Sequence, residues 1–187
     1  MKIMKVLTRY FFLLFLTVVI LQGCSSDEPG PDFTPEVLES SERQFLRPAG
    51  EAKSLIQAFP GDTDELAALV QYDVTFYELT YKTNYRGQEI IASGLVAFPE
   101  TDQPVPMISF QNGTNTVQAD APTQSSTFKA LSGMAGAGYI ICIPDYIGFG
   151  VSSDIFHPYY DYRSTAQAVV DMIKATRELA FQEGLSL

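Results

Sequence analysis

"ISFQNGTNT", residues Ile108 to Thr116, is where the fold is decided: an apolar run bounded upstream by Pro106 gives way to a Gly-centred polar loop. This is the pattern of a buried strand delivering backbone amides to an edge where something can bind. Asn112-Gly113 is also a common turn pair, so a tight polar turn closing the strand is the competing reading. Downstream, a weaker helical segment spans about Ser126 to Ala137, and "GYIICIPD" (Gly138 to Asp145) is again short, β-branched and apolar. Strand, helix, strand in that order asks for parallel pairing with a right-handed crossover. Upstream, "YDVTFYELTYKT" and "EIIASGLVAFP" are two strands joined through Asn84 to Gln88, with Gly87 in the turn, and they form a hairpin. The second alternates only loosely, as a strand covered on both faces does.

The flanks read as helical. Residues 35 to 72 suggest helix in pieces: "TPEVLESSERQFL" with Thr34 as its cap, and "DTDELAALVQY" after Pro60-Gly61 with acids in its first turn. At the other end, Ser164 with Gln167 predicts a capping box. Val169, Met172, Ile173, Thr176, Leu179 and Ala180 then fall on one face, Gln167, Asp171, Lys174 and Glu178 on the other, with Asp171 and Glu178 read as solvated-face charges, and Gly184 is a good residue to end the helix. A crossover helix carries the chain to its next parallel strand, but only "LSL" follows Gly184. The expectation is therefore an N-terminal portion of a longer domain.

Lys2, Lys5 and Arg9 precede the apolar run "YFFLLFLTVVIL", whose twelve residues are too few to span about 30 Å of hydrocarbon. Residues 1–23 read as a signal peptide, and Leu21-Gln22-Gly23-Cys24 resembles a bacterial lipobox that would make Cys24 the lipidated N-terminus. The Ser-, Pro-, Gly- and acid-rich residues 24–34 read as a flexible tether, and 35–187 as the folded domain. The expected location is the cell envelope, on the outer membrane, held through the lipid. Loss of residues 1–23 removes three of the twelve basic residues and none of the twenty-two acidic ones, taking the formal charge from −10 to −13. That argues against nucleic acid or an anionic lipid face as a partner. Cys142, inside "YIICIP", reads as a buried strand thiol without a disulfide partner, and no Cys/His spacing suits a metal. No cofactor is expected.

A hairpin leading into parallel βα units, with "ISFQNGT" after one strand and "IPDYIGFGVSS" after the next, resembles the first half of an α/β-hydrolase over about residues 73 to 183. The resemblance is closest to the secreted lipase and esterase branch that includes lipoproteins. It implies an antiparallel hairpin followed by a parallel sheet with crossover helices, ending before the nucleophile elbow. It also implies that Asn112, Gly113 and Thr114 form the oxyanion loop, with the Thr114 amide as donor and Asn112 in place of the usual His. Asp145-Tyr146-Ile147-Gly148-Phe149-Gly150-Val151-Ser152 resembles the Asp-x-x-Gly-x-Gly-x-Ser loop after the fourth strand. There Asp145, Gly148 and Gly150 have a structural role, with Asp145 able to bond the turn's own amides.

No Gly-x-Ser-x-Gly elbow occurs, and the nearest match, around Ser152, lacks the second Gly and lies on the wrong loop. His157, the only histidine, reads as a packing or hydrogen-bonding residue, and Phe156, Tyr159, Tyr160 and Tyr162 as core or rim. The expected function is a lipid-anchored serine hydrolase of carboxylic esters whose Ser, His and acid are not in this chain, which alone would be inactive. A non-catalytic envelope lipoprotein using the same fold for binding, and a peptidase of that fold, are the alternatives.

Overall fold

Two strands covered on both faces set the architecture. The computed structural model describes residues 34–185 and 187, and Pro35–Leu187 forms one compact unit. The leader expected over 1–23, Cys24 and all but the last residue of the tether lie outside the described residues. The elements run β1 (Leu38–Arg47), α1 (Ala49–Gln57), α2 (Asp64–Leu69), β2 (Val74–Tyr85), β3 (Gln88–Pro99), β4 (Met107–Ser109), α3 (Ser126–Leu131), β5 (Ile140–Pro144) and α4 (Tyr162–Gln182). They build a five-stranded sheet in the order β1-β2-β3-β5-β4.

The hairpin β2–β3 forms as its turn chemistry requires. Arg86 and Gly87 both have positive φ (52° and 82°), and the Gly87 amide donates to Asn84 Oδ1 at 2.9 Å. β4 and β5 pair in parallel through Ile108 opposite Ile141, whereas β3 and β5 pair antiparallel. Period-two alternation then sorts side chains between two cores. Val96, Phe98, Ile140 and Cys142 join Tyr81, Met172, Ala175 and Leu179 under α4. Leu95, Ala97, Ile141 and Ile143 join Val74, Phe76 and Ala135 on the opposite face. With both faces covered, β3 and β5 have no polar side to show, which accounts for their loose sequence alternation.

Three expectations are corrected. "LESSERQFLR" is the strand β1 and not a helix: it pairs antiparallel with β2 from Leu38↔Tyr81 to Arg47↔Val74, with irregularities after Leu38 and Arg43. Its Glu, Gln and Leu content carries helical propensity, which edge pairing overrides, and its exposed charges suit an open sheet edge. The α4 cap is Asp161, whose carboxylate accepts from the Ser164 amide (3.4 Å) and hydroxyl (2.8 Å), so the expected box at Ser164 lies inside the first turn. Nor are Asp171 and Glu178 solvated-face charges. Asp171 is buried and accepts from Thr83 Oγ1 at 2.9 Å, with Gln167 and Lys174 as further donors. Glu178 accepts from the backbone amides of Glu36, Val37 and Leu38, at distances down to 2.6 Å.

The expected helix end is present. Gly184 has φ 73°, its amide donates to Phe181 O, and the Leu185 amide reaches back to Ala180 O, as in a Schellman ending. Among the described residues no helix is long and apolar enough to cross a membrane.

Sheet and α4 approach closely at Gly94. A Cβ there would lie 2.6 Å from Met172 Cε and 2.8 Å from the Ile143 carbonyl oxygen. The methionine can yield but the backbone cannot, so Gly94→Ala is expected to cost about 1–3 kcal/mol in urea unfolding; an unchanged midpoint would show that the two layers can separate freely.

Candidate active site

Residues 111–116 leave β4 without regular structure, beside the loop that leaves β5. Parallel pairing of these two strands brings both motifs to one end of the sheet. Gly113 and Thr114 are exposed, and neither amide has an acceptor among the described residues. The carbonyls beside them are held. Asn112 O receives the Tyr146 hydroxyl at 3.3 Å, and Gly113 O receives Asn112 Nδ2 at 3.2 Å. Asn112 is 8% exposed, and its Oδ1 has no partner among the described residues. Gly113 does not occupy the left-handed region; its lack of a side chain leaves open space beside the loop. The loop therefore presents free N–H groups whose directions are constrained from behind, the arrangement an oxyanion acceptor needs.

Asp145 is the anchor of the neighbouring loop. It is fully buried; its Oδ1 accepts from the Thr123 amide (2.9 Å), and its Oδ2 from Thr123 Oγ1 (2.8 Å) and Ser93 Oγ (2.6 Å). Burial pushes its carboxyl above the ordinary 3.8, and these donors work against that rise. Its partners differ from the turn amides that were expected. The turn's own amide, Val151 N, donates to Ser93 Oγ at 3.1 Å and reaches Asp145 only through that hydroxyl. Gly150 (φ 57°) is required here, because a Cβ would collide with Ser93 Oγ and the Asp145 carboxylate. Gly148 (φ 93°) passes so close to His157 that a Cβ would lie 2.6 Å from its Cα.

Ser152 and His157 lie on the same stretch after β5. Ser152 Oγ is buried, accepting from the Gly148 amide (3.0 Å) and donating to Phe149 O (2.9 Å). His157 Nδ1 lies 2.6 Å from Ile147 O; a carbonyl only accepts, so Nδ1 carries the proton, and the ring packs edge-on to Phe149. Both side chains brace the loop. Phe156 and Tyr160 are 90% and 88% exposed, which places this aromatic group at the rim and not in the core. Cys142 is buried, and burial pushes its thiol up. Among the described residues no group of His, Cys, Asp and Glu is arranged to hold a metal.

Ser93, Thr123 and Tyr146 were not singled out from the sequence. Ser93 left a signal, as a hydroxyl inside the otherwise apolar "IIASGLVAF" must find a partner when both faces are covered. Thr123 left none.

The raised Asp145 carboxyl has a measurable consequence. Between the unfolded value near 3.8 and the higher folded value, the folded state keeps a proton that the unfolded chain has released. This contribution to stability is complete below the window and declines as pH rises through it. Urea midpoints measured across acid pH should fall accordingly in the wild type, and Asp145→Asn, which cannot titrate, should flatten that component; equal slopes in both proteins would refute the assignment.

No protein-family model matches the chain, and no curated protein matches it. Solved structures do. A candidate hydrolase of Legionella pneumophila superposes with TM-score 0.72 at 30% identity, over 81% of this chain and 42% of that one. The rice cell wall degrading esterase LipA of Xanthomonas oryzae superposes with TM-score 0.66 at 21% identity, over 83% of this chain and 40% of that one. This chain thus spans about two-fifths of the length of the solved structures it matches. With its mixed five-stranded sheet and the order of its two loops, the chain carries a partial α/β-hydrolase fold.

Proposed function

We propose that this chain is part of a lipid-anchored serine hydrolase of the cell envelope, acting on carboxylic esters as an esterase or lipase. The observation that carries the reading is the pair of unpaired amides at Gly113 and Thr114, with the carbonyls beside them held from behind. When a serine hydroxyl adds to an ester carbonyl, its proton passes to a histidine and the carbonyl oxygen takes up negative charge. N–H donors already aimed at that oxygen lower the barrier without having to reorganise. Ser152 and His157 are engaged elsewhere, so the nucleophile, its base and the acidic partner belong to polypeptide outside the described residues. Asn112 in place of a histidine leaves the donors intact, since they are backbone groups. Gly113 and Thr114 would therefore serve as donors, with Asn112 shaping the loop.

The same engagement of Ser152 and His157 favours one second reading, a binding lipoprotein that uses the fold without chemistry. The whole product of the native gene, assayed on a p-nitrophenyl ester, separates the two. Turnover is expected, and Thr114→Pro, which deletes one N–H, should lower kcat about 10²–10³-fold with little change in KM. A folded product without esterase activity, or full activity in Thr114→Pro, would reject the catalytic reading. For the anchor, Cys24→Ala should move the expressed protein from the detergent phase to the aqueous phase on phase partitioning; unchanged partitioning would remove Cys24 as the lipid site.

A further inference from the structure

Tyr146 combines two features that call for a common cause. It has φ 65°, in the left-handed region that favours glycine, and its hydroxyl lies 3.2 Å from Gln111 Oε1 and 3.3 Å from Asn112 O. A glycine would take that backbone conformation without strain, as Gly148 and Gly150 do nearby, but it would carry no hydroxyl across to the other loop. Strained non-glycine conformations persist where the surroundings over-determine them, and they cluster at functional sites.

What the hydroxyl does follows from the peptide plane. A carbonyl and the N–H of the next residue belong to one rigid unit and point in opposite directions. Holding Asn112 O therefore sets where the Gly113 N–H points, and holding Gly113 O through Asn112 Nδ2 does the same for the Thr114 N–H. Gln111 is fixed in turn, its Nε2 donating to Ser109 Oγ at 2.8 Å in β4. Burial pushes the Tyr146 phenol above its ordinary 10.0, so it keeps its proton as a donor through neutral pH.

We propose that Tyr146 is the positioning residue of the candidate oxyanion loop: it crosses from the β5 loop to the β4 loop and fixes the Gly113 amide directly and, by holding the Asn112 residue whose Nδ2 clamps Gly113 O, the Thr114 amide at one remove, without touching substrate. The proposal rests on reading residues 112–114 as the oxyanion loop, and it adds to that reading the residue that aims the donors. Asn112 and Gln111 provide the local clamps, and Tyr146 ties them to the Asp145 loop beneath.

The test is Tyr146→Phe in uniformly ¹⁵N-labelled protein. The ring and its packing remain and only the hydroxyl is lost, so the Gly113 and Thr114 amide resonances should shift or broaden while amides in β2 and β3 stay in place. Tyr146→Asn, which suits a left-handed backbone but cannot make the crossing contact, should move the same two resonances. In an esterase-active form of the protein, Tyr146→Phe is expected to lower kcat about tenfold with KM unchanged. Unmoved Gly113 and Thr114 resonances in both variants would overturn the proposal. That outcome leaves the oxyanion reading to Thr114→Pro. Conversely, an active Thr114→Pro enzyme alongside shifted resonances would confirm the positioning and remove its catalytic purpose.

Discussion

The buried carboxylate of Asp145 holds together the end of the sheet on which everything else depends. A carboxyl group without solvent contact is costly unless its oxygens are occupied, and here three donors from two other segments converge on it. Ser93 brings β3, Thr123 brings the segment before α3, and Asp145 itself brings the turn after β5. The same Ser93 hydroxyl receives Val151 N, so the glycine turn is folded back onto the strand that supports it. Gly150 is pressed against this cluster and Gly148 against His157, and neither point leaves room for a Cβ.

Much of the fold was legible because it is local. Asn84 to Gln88 named the hairpin turn, and the apolar runs ending at Phe110 and Asp145 named two parallel strands. The spacing of Met172, Thr176, Leu179 and Ala180 named the buried stripe of α4. β1 was not legible, because its residues are polar on nearly their whole length and only the unsatisfied edge of β2 makes them a strand. Asp171 and Glu178 failed for a related reason. Their helical phase is as read, but Thr83 and the amides of residues 36–38 come from distant parts of the chain and turn polar positions into contact positions.

The candidate site divides along the same line. Gly113 and Thr114 could be found from the order of two motifs, because free amides need only a strand that stops and a loop that follows. The clamps could not, because Tyr146 meets Asn112 only once β4 and β5 are paired in parallel. This separation explains how the chain can hold a shaped donor loop while Ser152 and His157 are taken up in bracing the neighbouring loop after β5. The solved structures that share this fold are about twice as long as this chain.

Glu178 takes three successive backbone amides at the point where the chain enters the unit, and this has a mechanical side. A pull applied upstream of Glu36 would meet this charge-assisted clasp before it reached the β1–β2 ladder. The load would pass into the C-terminal part of α4, a helix seated on the central strands, and the clasp would have to open before the edge strand could be peeled away from the sheet.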